Sequence, residues 1–404
     1  MDENTTGGPL QGIRVADFGH IVAGAGVGQV LAQLGADVFK IERLEGEIGR
    51  HHGAGGRPYI AEFNRGKRSL ALDLRHPRGQ EAALRLVHGV DVVVENMRPG
   101  AMNRLGLGYE RVAEGNPRVI YASVSGFGNG GTAAKRAGLD TAAQAESGLM
   151  TITGAADGPP QPVGAPIIDV VTAHYAAQAI LAALVGRGRS GKGDYIDVSL
   201  LSSAIAIQQV AWCEYFHTGV QPVRGGRLAL PPPSGDTFNT LDGTIVLIAV
   251  KQEHWVQLCE VLGCPDLLTD PRFANFDSRL AHADELLRVL AEQLSTWYTD
   301  ELTSTLLKHG LAFGHVRSYD EVLTSPEAQE SAIFGTARTD EGGTTYPALN
   351  LPYRMKSWPA PELSGVDAAG GHSRQILRIA GLSDEHIEEL ITAGIVGVSE
   401  SSAL

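Results

Sequence analysis

Asp169 is the first residue whose setting supports chemistry. It ends the run Pro162-Val-Gly164-Ala-Pro166-Ile-Ile-Asp169, an extended Pro- and Gly-containing segment that delivers a carboxylate to the start of a predicted helix. Two readings fit that position. Aspartate there caps free N–H groups and meets the positive end of the helix dipole. The alternative, a carboxylate with a functional role, draws on the basic residues around it. Basic residues recur just past predicted strands: Arg43 after DVFKIE, Arg75 after SLALDL, Arg98 after VDVVVEN, and Arg104 six residues on. Ligands of open parallel sheets lie beyond the carboxyl ends of the strands. Each arginine alone reads as solvated surface. Together, on a chain of net charge −13, they point to a local anion pocket.

Other motifs lead elsewhere. Gly186-Arg-Gly-Arg-Ser-Gly191-Lys192 matches the first part of a phosphate-binding loop, but Gly193 stands where Ser or Thr would meet magnesium. The segment also ends a helix and leads into a strand, the reverse of that motif. Gly24-Ala-Gly26-Val-Gly28, with Glu42 beyond it, evokes a dinucleotide fold. No G-x-G-x-x-G register fits, because Gln29 and Leu31 fall where the third glycine belongs. These glycines, read as a loop between strand and helix, still let backbone approach a phosphate or substrate. Ser123-Val-Ser125-Gly126 is not a nucleophile elbow. His51-His52 lacks companion ligands, and Cys259 and Cys264 lack a second ligand pair, so no metal site is expected. Cys213, Cys259 and Cys264 read as buried reduced thiols.

The elements that must position Asp169 alternate in the first 200 residues. Strands are expected at 12–19, 37–42, 90–96, 118–125 and 194–201, and helices at 25–34, 78–88, 169–185 and 202–216. Such alternation implies parallel pairing through right-handed crossovers, hence an α/β open sheet. A Gly-, Pro- and Arg-rich linker follows at 217–235, then a smaller α+β domain at 236–330. In that domain Asp242-Gly243 marks a hairpin between 236–240 and 244–250, and helices are expected at 254–262, 279–295 and 300–309. Residues 331–404 form a C-terminal segment with a last helix at 383–392. Residues 1–216 make up the N-terminal part of the large domain. Glycine is abundant, 50 of 404 residues, about 12% against a usual 7% or so. No Gly-x-y period accompanies it, so a collagen-like chain is excluded. Hydrophobic residues, 43% of the chain, exclude general disorder. The acidic balance argues against a nucleic-acid partner. The polar N-terminus is not a signal peptide, and the apolar run 172–186 is too short for a bilayer, so a cytoplasmic protein without a membrane partner is expected.

With these segments in order, the chain resembles the class III CoA-transferase family, which also includes acyl-CoA racemases. The resemblance is carried by LQGIRVADFGHIVAGAGVGQVLAQLGADVFKIER (10–43), NRGKRSLALDLRHPRGQEA (64–82) and DVVVENMRPGAMNRLGLGYE (91–110). It continues through NPRVIYASVSGFG (116–128), GLDTAAQAESGLM (138–150), PVGAPIID (162–169) and SGKGDYIDVSLL (190–201), and reaches the small domain at 236–263. It implies a Rossmann-like large domain that binds coenzyme A, with the tail returning to it, and an interlocked homodimer. Coenzyme A would be substrate, with no permanently bound cofactor, and the partners would be acyl-CoA, carboxylic acids and a second copy of the chain.

The resemblance also implies residue roles. Asp169 falls where the family's transferases keep a nucleophilic aspartate. CoA would be bound by Val22 and Ala23, Arg43, Leu72, Asp73, Leu74 and Arg75. Asn96, Met97, Arg98, Arg104, Ala137, Gly138, Leu139 and Asp140 would complete its site, with Arg43, Arg75 and Arg104 on phosphates. The activity implied is transfer of CoA from an acyl-CoA to a carboxylic acid, with a racemase or isomerase of the same family, or a non-catalytic CoA-ester-binding protein, as the alternatives, and two departures narrow it. The family's racemases carry a G-H-D pattern where this chain reads Gly138-Leu139-Asp140, and leucine exchanges no proton. Formyl-CoA transferases carry a glycine-rich loop where this chain reads Pro231-Pro-Pro-Ser-Gly235-Asp236, and a glutamine at the place of Val22. A larger, less polar acyl group than formyl or oxalyl is therefore expected, such as a short dicarboxylate or a branched acid.

Overall fold

The structure is a computed structural model that describes residues 7–51, 53–225, 235–249, 251–339, 345–358 and 364–399. Residues 1–6, His52 and residues 226–234 of the expected linker, Pro231-Pro232-Pro233 among them, lie outside the described residues. The chain divides into two units: Met1–Thr153, Pro160–Gln209 and Gln329–Leu404 form the first, Gly154–Pro159 and Val210–Ala328 the second.

The first unit is built on strands whose central residues are apolar on both faces, as in Val92, Val93 and Val94, all fully buried. Strands β1 (Arg14–Phe18), β2 (Asp37–Glu42), β3 (Arg68–Leu72), β4 (Val92–Glu95), β5 (Ile120–Ser125) and β6 (Asp194–Ser199) pair in parallel, in the order β3-β2-β1-β4-β5-β6. A short C-terminal strand, Val396–Gly397, joins antiparallel beside β3 and closes a seven-stranded, mostly parallel sheet. The chain order reverses direction between β1 and β4, the place where such sheets open a crevice for a ligand.

The helices of this unit are, in order, α1 (Ala23–Gln33), α2 (Gly53–Phe63), α3 (Pro77–His88), α4 (Ala101–Arg104) and α5 (Tyr109–Gly115). There follow α6 (Asp140–Glu146), α7 (Leu149–Ile152), α8 (Ile167–Ser190) and α9 (Leu200–Ala206). On one face α1 and α8 pack Val27, Leu31, Ala173, Ala177 and Ile180 over Val15, Val92, Ile120 and Ala122. On the other, α3, α5 and the C-terminal helices Ser373–Ile379 and Asp384–Thr392 pack Leu86, Val112, Ile376 and Leu390 over Phe39, Leu70, Val93 and Tyr121. Burying each of the Val, Leu, Ile and Phe side chains among these contributes about 1.5–3 kcal/mol.

Four expectations are corrected. The glycine run 24–28, read as lying between strand and helix, is inside α1, which starts at Ala23, two residues before the helix expected at 25–34 that already held Gly26 and Gly28. A Cβ on Gly24 would sit 2.4 Å from Asn96 Cγ, on Gly26 2.9 Å from Ala173 Cβ, and on Gly28 2.2 Å from Asp17 Oδ2. Their absent side chains let α1 lie close against β4, α8 and β1. Second, the expected helix 202–216 is two, because α9 ends at Ala206 and a separate helix runs Gln209–Thr218. The expected 279–295 is likewise Phe276–Ala281 and Ala283–Leu294, broken at His282. Third, α8 has 24 residues with mean hydropathy 1.6, so it is long and apolar enough to cross a membrane by length and composition. Here its buried stripe faces the sheet. Fourth, Cys213 is exposed, on a helix with no buried residue, while Cys259 is buried and Cys264 half-buried.

The second unit carries a three-stranded antiparallel sheet, β7 (Gly235–Asn239), β8 (Thr244–Ile248) and β9 (Ala312–His315). Its core joins Phe238, Ile245 and Leu247 to Trp255, Leu258, Leu286, Leu290, Leu302 and Leu306 from the surrounding helices.

Candidate active site

The sequence-predicted site residues all follow the carboxyl ends of strands in the first unit. Val22 and Ala23 follow β1, Arg43 follows β2, Leu72 ends β3, and Asp73, Leu74 and Arg75 come after it. Asn96, Met97, Arg98 and Arg104 come after β4, and Ala137, Gly138, Leu139 and Asp140 after β5. The parallel sheet therefore gathers them at one edge. Arg43, Arg98 and Arg104 are exposed there, and among the described residues their guanidinium groups make no ion pair. Arg75 reaches Asp73 at 3.0 Å and is otherwise in solvent, its side chain 87% exposed.

Helix α8 brings Asp169 to this same edge. Both α1 and α8 run antiparallel to the strands they cross, so both begin at the carboxyl end of the sheet. They touch at Gly26 and Ala173, which lie three residues past Ala23 and four past Asp169, about 5–6 Å along each axis. The two helix N-termini thus stand side by side.

Asp169 does not cap its helix. That task falls to Asp140, at the start of α6: its Oδ2 accepts from the N–H groups of Ile168 (2.7 Å) and Asp169 (3.0 Å). Its other oxygen accepts from Gln144 Nε2 at 2.5 Å. Gln144 is buried, and its Oε1 accepts from Val163 N at 2.9 Å, fixing the segment that leads to Asp169. Gly126 and Gly138 pass backbone against backbone, so a Cβ on either would lie within 2.3 Å of the other's Cα. That contact sets where Leu139 and Asp140 begin α6.

With its N–H tied to Asp140, the Asp169 carboxylate has no hydrogen-bond partner among the described residues. Burial, and then the charge of Asp140, push its pKa up to about 7. A carboxylate so placed is more basic than an ordinary one, hence a stronger nucleophile, yet still substantially ionised near neutrality.

A second group of residues was not anticipated from the sequence. Under the loop Gly19–Val22 lies a buried ionic cluster. Lys40 pairs with Glu47 at 2.6 Å, Lys67 with Asp17 at 2.6 Å, and Arg50 with Glu42 at 2.9 Å. Burial alone would raise the Glu47 pKa, but the Lys40 ammonium holds it down at about 2. Burial alone would lower Lys40, and the carboxylates of Glu47, Asp17 and Glu42 reverse that and raise it. Burial, then Lys40, push His20 down to about 4, so its ring is neutral at pH 7. Asn96, expected to meet CoA, has its amide engaged on the backbone of His20: Oδ1 accepts from His20 N at 2.8 Å and Nδ2 donates to His20 O at 3.2 Å. The signal for this cluster was a lysine inside the strand DVFKIE, a residue that a fully buried strand would not hold unpaired. Among the described residues no group of His, Cys, Asp and Glu is placed to hold a metal ion.

Comparison with known proteins places this geometry in context. The sequence model described as CoA-transferase family III matches residues 10–373. A succinate–glutarate CoA-transferase of Agrobacterium fabrum is 33% identical over 385 residues, covering 91% of this chain and 95% of that protein. A succinyl-CoA:mesaconate CoA-transferase of Haloarcula hispanica is 34% identical over 405 residues, covering 96% and 97%. The crystal structure of a CAIB/BAIF family protein from Brucella suis superposes with a TM-score of 0.82 at 33% identity, covering 92% of this chain and 99% of that one.

Proposed function

This chain belongs to CoA-transferase family III, and from that premise we propose that it moves coenzyme A from an acyl-CoA donor to a carboxylic acid through a covalent intermediate on Asp169. The observation that carries the proposal is the Asp169 carboxylate itself: raised to about 7, without a hydrogen-bond partner among the described residues, at the mouth of two helix N-termini.

The reaction is four acyl exchanges that need no external energy. An Asp169 oxygen attacks the thioester carbonyl, forming a mixed anhydride and releasing CoA thiolate. The thiolate attacks the aspartyl carbonyl, giving an aspartyl-CoA thioester and freeing the donor acid. The acceptor carboxylate then attacks that thioester, forming a second anhydride and thiolate. The thiolate attacks the acceptor's carbonyl, leaving acyl-CoA and restoring Asp169. Each tetrahedral intermediate carries an oxyanion that first-turn N–H groups of α1 can stabilise, those of α8 being held by Asp140 and the backbone. The exposed guanidinium groups of Arg43 and Arg104 suit the CoA phosphates.

The acyl substrates we propose are short dicarboxylates. Val22 at the start of α1 is apolar, and the relatives named above act on succinate, glutarate and mesaconate. Leu139, 68% exposed beside Asp140, offers no exchangeable proton and speaks against racemisation. The working form we propose is a homodimer. Phe216, Val220 and Val223 are 75%, 67% and 78% exposed in the single chain, an apolar surface suited to a second copy.

Incubation with succinyl-CoA and a panel of carboxylic acids, followed by mass spectrometry of the thioesters, tests the function. New glutaryl-CoA, or another new acyl-CoA, is expected with the wild type and none with Asp169→Ala. No transfer with any acid, or full transfer by the variant, contradicts it.

A further inference from the structure

Between β1 and α1 the chain passes through Gly19-His20-Ile21-Val22, and Ile21 takes φ +61°. A β-branched residue in the left-handed region is a genuine outlier, held only where its surroundings impose it. Here they do so at successive backbone atoms. Gly19 N donates to Asp17 Oδ1 at 2.7 Å, and Gly19 O accepts from Lys40 Nζ. Asn96 clamps His20 on both sides, and further on Ala25 O accepts from Lys67 Nζ at 2.7 Å. At the strained residue itself, Ile21 N donates to Glu47 Oε1 at 2.5 Å.

Glu47 is built to hold that bond. It is 2% exposed, its second oxygen meets Lys40 Nζ at 2.6 Å and Asn64 Nδ2 at 3.3 Å, and its own N–H is fixed by Glu42 at 2.8 Å. A charged acceptor makes a shorter and stronger bond than a neutral one. The consequence lies one residue on. The first intrahelical bond of α1 is Gly26 N to Val22 O. The N–H groups of Ala23, Gly24 and Ala25 therefore have no acceptor among the described residues, at the end of α1 that packs beside the start of α8.

We propose that Glu47, backed by Lys40, is a positioning residue for acyl transfer: it locks Ile21 in its left-handed conformation and so aims the free N–H groups of α1 at the oxyanion oxygen that forms on the acyl group beside Asp169. This rests on the reading of Asp169 as the nucleophile. Glu47 touches no substrate, and it acts through the backbone of Ile21.

Glycine adopts positive φ without strain, so Ile21→Gly should remove the need for the clamp. The test is a double-mutant cycle on the full chain, with wild type, Glu47→Gln, Ile21→Gly and the double variant. Two readouts are followed: steady-state transfer from succinyl-CoA to glutarate, and Tm. Glu47→Gln is expected to lower kcat roughly tenfold with KM for succinyl-CoA little changed, as for an interaction made in the transition state. Adding Ile21→Gly is expected to restore most of that loss. Ile21→Gly alone is expected to raise Tm, and Glu47→Gln to lower Tm less in its presence.

Wild-type kcat in Glu47→Gln, or no rescue in the double variant, overturns the proposal. Should Glu47→Gln fail to fold, Ile21→Gly alone decides: a lowered Tm contradicts the strain on which the proposal stands. Should the wild type transfer nothing between these substrates, the substrate reading fails, and the Tm cycle still decides the clamp by the presence or absence of coupling.

Discussion

At the residue scale the proposed chemistry turns on one carboxylate with the wrong solvation for its type. An ordinary aspartate is ionised far below neutrality, and Asp169 is raised to about 7 by burial and by Asp140. Between about pH 4 and pH 7 the folded chain therefore keeps a proton that the unfolded chain has lost. Stability falls as pH rises through that window, because the folded state disfavours the charge. Asp169→Asn should accordingly raise Tm at pH 8 and leave it unchanged near pH 4, as thermal denaturation across that range would show. The proposed transfer needs the ionised form, so its rate should climb as pH passes upward through about 7. Asp140→Asn removes the neighbouring charge but keeps an acceptor for the helix N–H groups, and it should move that climb to lower pH. A climb that stays in place would mean that Asp140 does not tune Asp169. The sequence suggested two roles for Asp169, cap and nucleophile. The structure gives the cap to Asp140, 29 residues away, a pairing that no local pattern reveals.

At the scale of elements, the sheet was largely legible because its signal is local. The run DVFKIE is apolar at alternate and adjacent positions, and strand β2 spans those residues. Helix α1 was misread at its start because glycine signals a loop when only neighbours in sequence are seen. Its glycines answer instead to Asn96, Ala173 and Asp17, which the fold brings from other elements. Lys40 and Glu47 were missed for the same reason, since each is intelligible only beside its partner. Two substitutions separate the roles of glycine. Gly28→Ala would put a Cβ 2.2 Å from Asp17 Oδ2, at the Lys67 pair, and should lower stability by about 1–3 kcal/mol. Gly186→Ala, inside α8 with nothing within 4 Å, should raise it by about 0.5–1 kcal/mol. Urea denaturation with unchanged m-values measures both, and equal effects would contradict the packing account.

At the scale of the molecule, the excess of glycine and the acidic balance take on specific meaning. Of the 50 glycines, 33 lie in residues 1–200, where several allow close packing under the site edge. A chain of net charge −13 repels a polyanion in general, so the proposed CoA site draws on the few exposed arginines at that edge. Arg43→Gln and Arg104→Gln should each raise KM for the acyl-CoA several-fold while leaving KM for the acceptor acid unchanged, and the acyl-CoA KM should rise with salt. Equal rises in both constants would place these arginines elsewhere in the reaction. The covalent step on Asp169 is the part of the proposed reaction that can be caught directly. Succinyl-CoA supplied without an acceptor acid, followed by rapid quenching and peptide mass spectrometry, should show CoA in thioester linkage on the peptide carrying Asp169, converted to a hydroxamate by hydroxylamine. Transfer that proceeds with no adduct on Asp169, or with an adduct on another residue, would contradict it.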